Sequence, residues 1–224
     1  MNKCCLKIYI SKLLSKEKEK LIEFVDDADV VSFDIFDTLV KRKVDSPDDI
    51  FELIANDYDF AGEESFGRFF KETRKTAERV ARCKSQYEEV TLNEIYDCFK
   101  GLNVLQKEKL IETECKNELN NCVCNADMYG VYQYAKKMNK RIIYTSDMYL
   151  DNQTVKKILK NCGYDDYPLY LSSEIRKTKR SGKLFEYIRM EYPNCKVAHF
   201  GDNIVRDYFM AKLQGIKGVL IKSI

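Results

Sequence analysis

The stretch VVSFDIFDT, residues Val30 to Thr38, combines two patterns that decide the fold. Its first four residues favour a buried β-strand, and the remainder reads as a polar loop that contains two aspartates. Four later runs have a similar β-favouring composition, and the first three of them also end in polar residues. These runs span residues 141–145, 169–173, 196–200 and 218–221. The sequence therefore predicts a sheet with polar clusters at the ends of its strands.

Helical patterns separate the later strands. Apolar residues recur at helical spacing in residues 152–162, 182–192 and 204–214, and a glycine follows the first and the last of these segments. Because strands alternate with helices, we predict an α/β fold with a Rossmann-like parallel sheet. Ligands of such sheets bind beyond the carboxyl ends of the strands, so the polar clusters are expected to form one site.

The long segment between the first and second strands has no convincing strand pattern. It contains amphipathic helical patterns at residues 47–58, 63–81, 91–99, 105–120 and 126–138. We therefore expect an α-helical cap, residues 44–125, inserted into a core made of residues 1–43 and 126–224. Arg74 and Glu78 lie four residues apart in this cap and are expected to pair along one helix face.

The charge balance and the hydropathy pattern exclude several classes of protein. The chain has 38 Lys and Arg against 36 Asp and Glu, a net charge of +2, so no global field attracts nucleic acid or an anionic membrane. No apolar run approaches the roughly 18 residues of a membrane span. The opening residues 1–11 are too few and too charged for a signal peptide. Nine scattered cysteines favour a reducing cytoplasm over secretion.

Six residues near the predicted strand ends suit phosphoryl chemistry. Three carboxylates form an all-oxygen site of the kind that Mg²⁺ prefers, and a nearby hydroxyl and lysine suit a phosphoryl group. An aspartate is also a competent nucleophile, because an aspartyl-phosphate divides one difficult displacement into two easier ones. A metal and a lysine offset the repulsion between two anionic reactants. The six residues are Asp34, Thr38, Ser146, Lys179, Asp202 and Asp207.

All six of these residues lie in motifs that resemble those of the haloacid dehalogenase (HAD) superfamily. SFDIFDTL resembles the first motif, which implies that Asp34 is the nucleophile. YTSDMY resembles the second motif, which implies that the hydroxyl of Ser146 holds the transferring phosphoryl group. KRSGKLF resembles the third motif and implies the same role for Lys179. With the fourth motif, the resemblance extends over about residues 30–221.

The fourth motif supplies the acidic residues of the implied metal site. Gly201-Asp202 with Asp207 resembles the pair that holds magnesium in the superfamily. The resemblance implies Mg²⁺ as cofactor, held by Asp34, the carbonyl of Phe36, Asp202 and Asp207. It also implies a phosphohydrolase that acts on a small phosphorylated metabolite, such as a sugar phosphate, through an aspartyl-phosphate.

Three longer matches resemble a poorly characterised bacterial branch of the same superfamily. They are FDIFDTL, SDMYL and HFGDN. Members of this branch are often joined to, or encoded beside, sugar-transferring enzymes for surface polysaccharides. The resemblance therefore implies an association with glycosyltransferase machinery and polysaccharide biosynthesis.

One departure from the family pattern affects the expected chemistry. HAD phosphatases place a second aspartate two residues after the nucleophile, as general acid and base, and here that position holds Phe36. Such help is typically worth about 10²–10⁴-fold. Asp37 replaces the missing acid if the loop turns it inward; otherwise it stabilises the loop. An aromatic residue at this position also resembles the dehalogenase branch. The alternatives to a phosphohydrolase are therefore a dehalogenase-like, carbon-centred hydrolase and a weakly active or inactive domain that binds a ligand or a partner.

Two of the proposed roles have competing candidates. Thr145 competes with Ser146, because a one-residue slip of the strand exchanges them. Lys177 and Lys183 compete with Lys179, and the motif register favours Lys179.

Other polar residues also have a structural interpretation. Thr38 either belongs to the catalytic loop or caps the following turn. Arg42 either binds a substrate phosphate or carboxylate through its planar fork or forms a salt bridge. Asp147 is expected to cap the next helix. His199, the one histidine of the chain, is expected to pack in the core.

Overall fold

The computed structural model describes residues 19–58 and 64–221, without the side chains of residues 64–68. Three segments lie outside the described residues. They are the opening segment considered above, the start of the helix predicted at residue 63, and the C-terminal residues 222–224.

Seven strands and ten helices can be numbered along the described chain. The strands are β1 (Val30–Phe33), β2 (Val40–Arg42), β3 (Cys122–Cys124), β4 (Arg141–Ser146), β5 (Leu169–Leu171), β6 (Val197–Gly201) and β7 (Lys217–Leu220). The helices are α1 (residues 19–27), α2 (Ile50–Asp57), α3 (Glu64–Lys84), α4 (Leu92–Asp97), α5 (Val104–Asn120), α6 (Ala126–Lys137), α7 (Asn152–Asn161), α8 (Ser172–Ile175), α9 (Lys183–Glu191) and α10 (Met210–Leu213). A 3₁₀ turn, Pro47–Asp49, precedes α2, and a π-helical segment, Ile204–Phe209, precedes α10.

Five parallel strands form the central sheet in the order β5-β4-β1-β6-β7. All four residues of β1 are buried because helices cover both faces of the sheet. Val31 and Phe33 pack on the face that also holds α6 and α7, whereas Val30 packs with α9 on the other face. The predicted α/β class with a Rossmann-like parallel sheet is confirmed.

The helices predicted between β1 and β4 are present, but the expectation that this segment lacks strands is wrong. β2 and β3 pair antiparallel, with Val40 opposite Cys124 and Arg42 opposite Cys122. Each strand has three residues, which is too short for a periodic pattern to stand out. α2 to α5 lie between these two strands in the chain.

Two later elements also differ from the sequence-based prediction. The third predicted strand ends at Leu171, and Ser172 begins the short helix α8. The last predicted helix begins with a π-helical segment, a rare form that often occurs at functional sites. No helix in the described ranges is long and apolar enough to cross a membrane.

A buried ion pair stabilises the helical segment between β2 and β3. The predicted pair of Arg74 with Glu78 is present at 3.1 Å, but a second partner was not predicted. This second partner is Glu114, whose carboxylate accepts two hydrogen bonds from the guanidinium of Arg74, at 2.7 and 2.9 Å. Both side chains are fully buried. The hydroxyl of Tyr96 donates to the same carboxylate at 2.7 Å. Arg74 therefore links α3 to α4 and α5.

Replacing Arg74 is expected to destabilise the fold strongly. Removing one partner leaves the other charge buried and uncompensated, so Arg74→Met is expected to lower the free energy of unfolding by about 3–5 kcal/mol. Urea denaturation measures this change. Arg79→Met, at an exposed position of the same helix, is the matched control and should change stability by no more than about 0.5 kcal/mol. The double variant Arg74→Met/Glu114→Gln should recover part of the loss. An Arg74→Met protein with the urea midpoint of the wild type would contradict the prediction.

Candidate active site

The polar ends of β1, β4 and β6 meet at a cavity of about 240 Å³. The structure brings eight of the predicted site residues to the lining of this cavity, and Thr38 and Thr145 are the two that it does not. The eight are Asp34, Phe36, Asp37, Arg42, Ser146, Lys179, Asp202 and Asp207.

Asp34 is the first residue after β1, and its side chain is almost fully buried. Its backbone N–H donates to the carbonyl of Phe200 at 2.8 Å, which fixes the loop against β6. One carboxylate oxygen accepts a hydrogen bond from Lys179 Nζ at 2.5 Å, and the other accepts from the hydroxyl of Thr38 at 3.3 Å. Thr38 therefore orients Asp34 from behind the cavity.

Lys179 is the lysine that reaches this cavity. Its ammonium lies between two carboxylates, at 2.5 Å from Asp34 and 2.6 Å from Asp207. Lys183 instead pairs with Glu88 at 2.6 Å, and Lys177 lies over the ring of Tyr187. The register of the third motif thus selects the lysine that the structure places among the acidic residues.

The loop that carries Lys179 is held by Asp147, which was expected to cap the next helix. Asp147 instead accepts hydrogen bonds from the backbone N–H groups of Lys179 at 2.7 Å and Arg180 at 3.2 Å. The cap of α7 is Asp151, which accepts from Thr154. The expectation that Asp147 caps the next helix is therefore wrong. Its partners, Lys179 and Arg180, lie 32 and 33 residues away in sequence, where a local capping pattern gives no signal.

The end of β6 supplies two further carboxylates. An added Cβ at Gly201 would lie 2.4 Å from Asp207, so this close approach requires glycine. Asp207 is buried and accepts a hydrogen bond from the backbone N–H of Asn203 at 2.9 Å. Carboxylate oxygens of Asp34, Asp202 and Asp207 all lie within 4.8 Å of one another. This all-oxygen set fits a hard divalent cation such as Mg²⁺.

A row of buried hydrogen bonds supports Asp207 from inside the sheet. Nε2 of His199 lies 3.2 Å from Asp207 Oδ1, and Nδ1 lies 2.8 Å from the hydroxyl of Ser32. That hydroxyl lies 2.8 Å from Oγ1 of Thr145. His199 is fully buried, as expected, but it also contacts the site. Thr145 is directed to Ser32 and away from the cavity, so this placement favours Ser146 for the phosphoryl-binding role.

The remaining predicted residues lie on the side of the cavity nearest to β2. The guanidinium of Arg42 lies over the ring of Phe36, at 4.3 Å from its centroid, and pairs with Glu118 at 3.0 and 3.2 Å. Its fork is therefore engaged by a buried carboxylate. Asp37 is exposed and has φ of 62°, the left-handed region that favours glycine.

Comparison with solved structures identifies the architecture. A 2-haloacid dehalogenase from Pseudomonas syringae pv. Tomato DC3000 superposes with a TM-score of 0.62 at 13% identity, covering 84% of this chain and 83% of that one. The chain has the HAD fold. A Thermotoga maritima protein described as a β-phosphoglucomutase shares this HAD fold, with a TM-score of 0.55 at 14% identity and coverage of 87% and 86%. The magnesium-bound HAD-hydrolase YfnB from Bacillus subtilis does so with a TM-score of 0.54 at 14% identity and coverage of 84% and 86%. No protein-family model and no curated protein matches the sequence.

Burial is the largest single influence on the pKa values of Asp34, Asp207 and His199 at this HAD-fold site. Burial raises the pKa of Asp34 to about 7, and the neighbouring Asp207 and Asp202 charges add to this rise while Lys179 opposes it. For Asp207, burial also raises the pKa, but Lys179 and His199 outweigh it and leave the pKa well below its usual range. Burial lowers the pKa of His199. The cluster of Asp34, Asp202 and Asp207 thus places three carboxyl groups beside the one ammonium of Lys179, which favours a bound cation.

Proposed function

We propose that this protein is a magnesium-dependent phosphohydrolase that acts on a small phosphorylated metabolite, such as a sugar phosphate. The observation that carries the proposal is the position of Lys179, whose ammonium contacts Asp34 and Asp207 at 2.5 and 2.6 Å inside the cavity that Ser146 also lines. A nucleophilic carboxylate, a hydroxyl, a cation and further acidic residues in one cavity suit phosphoryl transfer. The HAD fold supports the same reaction class.

The metal site of this proposal uses residues whose donor atoms suit Mg²⁺. Asp34, Asp202 and Asp207 would hold the ion through carboxylate oxygens, together with the carbonyl of Phe36. When bound, Mg²⁺ supplies Lewis-acid stabilisation of charge on the phosphoryl oxygens. Such a cation also relieves the mutual repulsion of the three carboxylates, which contributes to the raised pKa of Asp34.

The side chains of the cavity divide the work of the proposed reaction. Ser146 donates its hydroxyl proton to a phosphoryl oxygen, and Lys179 balances the charge of another. A carboxylate oxygen of Asp34 forms a bond to phosphorus while the bond from phosphorus to the leaving oxygen breaks. Water then attacks the aspartyl-phosphate, which releases phosphate and restores Asp34. Thr38 keeps the nucleophile in place through its 3.3 Å hydrogen bond.

Proton transfer to the leaving oxygen is the weak part of this site. Phe36 lies where a general acid would lie, and its ring is covered by Arg42. Asp37 also lines the cavity, but it is exposed. Without a positioned acid, the leaving group takes its proton from water, which favours substrates with good leaving groups, such as phosphoanhydrides.

A second candidate function follows from the same aromatic residue. Phe36 on the lining and a 2-haloacid dehalogenase among the proteins with this fold favour a carbon-centred hydrolase in which Asp34 attacks carbon. A third candidate is a domain that binds a ligand or a partner with little turnover. The proposed cytoplasmic location and association with glycosyltransferase machinery apply to all three candidates.

Two parallel assays test the proposal. Phosphate release from a panel of sugar phosphates and other phosphorylated metabolites is measured with Mg²⁺ and with excess EDTA, and chloride release from 2-chloropropionate is measured under both conditions. We expect phosphate release that EDTA abolishes. Chloride release that persists in EDTA would instead support the dehalogenase. Binding of Mg²⁺ and vanadate without release of either product would support the binding domain.

A further inference from the structure

A second cavity, of about 410 Å³, lies beside the candidate active site. Asp147 and Arg206 line both cavities, so the two are neighbours. The second cavity lies between the predicted cap segment, which contributes residues from Arg82 to Val90, and the core segments that follow β4, β5 and β6. Its full lining is Arg82, Tyr87, Glu88, Glu89, Val90, Asp147, Thr178, Arg180 and Arg206.

Hydrogen bonds fix the cap side of this second cavity to the core. The carboxylate of Glu88 accepts from the backbone N–H of Thr178 at 3.0 Å and from the hydroxyl of Ser181 at 2.6 Å. The carboxylate of Glu89 accepts from the hydroxyl of Ser172 at 3.1 Å. These contacts cross from the cap segment to the core, so the cavity has a defined wall on each side.

Most of the charged side chains that line the second cavity have a charged partner or a backbone N–H partner. Arg82 pairs with Glu78 at 2.9 Å and with Glu89 at 2.5 Å. Glu88 pairs with Lys183 at 2.6 Å. The carboxylate of Asp147 is taken up by two backbone N–H groups.

Two guanidinium groups of the second cavity lack such partners. Arg180 and Arg206 donate hydrogen bonds through their backbone N–H groups, to the side chains of Asp147 and Asn203 respectively. In the described part of the chain, no carboxylate lies within ion-pair distance of either guanidinium. Both side chains are exposed to the solvent of the cavity. Arg206 also borders the first cavity, four residues after Asp202.

We propose that Arg180 and Arg206 bind a second anionic group, a carboxylate or a phosphate, on the leaving group of the substrate. Guanidinium forks bind both groups through paired, charge-assisted hydrogen bonds. The reacting phosphoryl group lies in the first cavity, and the leaving group extends past Asp147 and Arg206 into the second. This substrate class rests on the proposed phosphohydrolase function, but the anion site itself does not require turnover.

Two matched pairs of phosphate esters test the site by binding. Glycerol 3-phosphate is compared with 3-phosphoglycerate, which adds a carboxylate, and fructose 1-phosphate with fructose 1,6-bisphosphate, which adds a phosphate. Dissociation constants are measured by calorimetry with Mg²⁺ on the Asp34→Asn protein, so that no ester is consumed. Charge-assisted hydrogen bonds should make the member with two anionic groups bind at least about tenfold more tightly than its partner in at least one pair.

Substitution of the two arginines then locates this preference. Arg180→Gln/Arg206→Gln is expected to reduce it to less than about threefold, whereas Arg79→Gln, an exposed arginine of α3 outside both cavities, should retain it. The two single variants show how the arginines share the effect. Equal affinity for both members of each pair, or a preference that survives the double substitution, would overturn the proposal.

The outcome for the proposed function is read separately. Wild-type protein is assayed for phosphate release from the same four esters with Mg²⁺. A binding preference that depends on the arginines, found together with no phosphate release, would support the anion site and count against the phosphohydrolase. Phosphate release without any preference would support the phosphohydrolase and overturn the anion site.

Discussion

Asp34→Asn is expected to lower magnesium-dependent phosphate release by at least about 10³-fold, since removal of a nucleophile can cost about 10⁶-fold in a hydrolase. An amide has the shape of the carboxylate but does not attack phosphorus at a useful rate. It also withdraws one negative charge from the set formed with Asp202 and Asp207, which weakens cation binding. Initial rates measured with the best substrate of the panel give the size of the loss.

The matched control for this substitution is Asp97→Asn. Asp97 lies on α4 with 71% of its side chain exposed and pairs with Lys107 on the surface at 3.2 Å. The control should keep the wild-type rate, and both variants should keep the wild-type circular dichroism. Equal rates for wild type and Asp34→Asn would remove Asp34 from the mechanism and, with it, the proposed aspartyl-phosphate.

Phe36→Asp is expected to raise phosphate-ester hydrolysis by about 10²–10⁴-fold, the range that a positioned general acid and base supplies. Phe36 lines the same cavity as Asp34, so an aspartate there would lie within the site. Arg42 would still have its two hydrogen bonds to Glu118, which compete for its guanidinium. The gain should be largest for esters with poor leaving groups, because these depend most on protonation.

Two further variants distinguish the effect of the added acid from the effect of the smaller side chain. Asparagine at position 36 has nearly the same size as aspartate but carries no titratable carboxyl proton, so Phe36→Asn should show no comparable gain in rate. Asp37→Asn tests whether Asp37 already supplies the proton in the wild type. If Asp37→Asn abolishes activity and Phe36→Asp adds nothing, our view that Phe36 leaves the site without an acid is wrong. An inactive wild type with an active Phe36→Asp would favour the ligand-binding domain.

The central sheet was predictable because buried parallel strands leave a strong signal. Both faces of β1 and β4 are covered by helices, so their sequences read as short continuous β-favouring runs. β2 and β3 left no such signal, since each has only three residues and Lys41 and Arg42 interrupt the apolar character of the first. Sequence pattern also placed the helices of the cap segment but not the contact of Arg74 with Glu114, which lie forty residues apart.

Some features of the candidate site were likewise predictable from the sequence, and others were not. Asp34, Ser146 and Asp202 were predictable because each lies at or just after the end of a strand, where the chain direction alone places it near the others. The role of Asp147 as a support for the Lys179 loop was missed because a hydrogen bond across thirty-two residues leaves no local pattern. The contact of His199 with Asp207 depends on how β6 meets the π-helical segment, which periodicity does not reveal.

The row of hydrogen bonds from Thr145 to Asp207 has a direction. Asp207 is ionised beside Lys179 and therefore only accepts, so neutral His199 carries its proton on Nε2. Nδ1 then accepts from Ser32, and Ser32 accepts from Thr145. All three bond dipoles thus point their positive ends at one carboxylate. Neutral groups inside the sheet therefore stabilise the anionic form of Asp207 without adding a net charge. The ammonium of Lys179 is then left to respond to charge changes at Asp34.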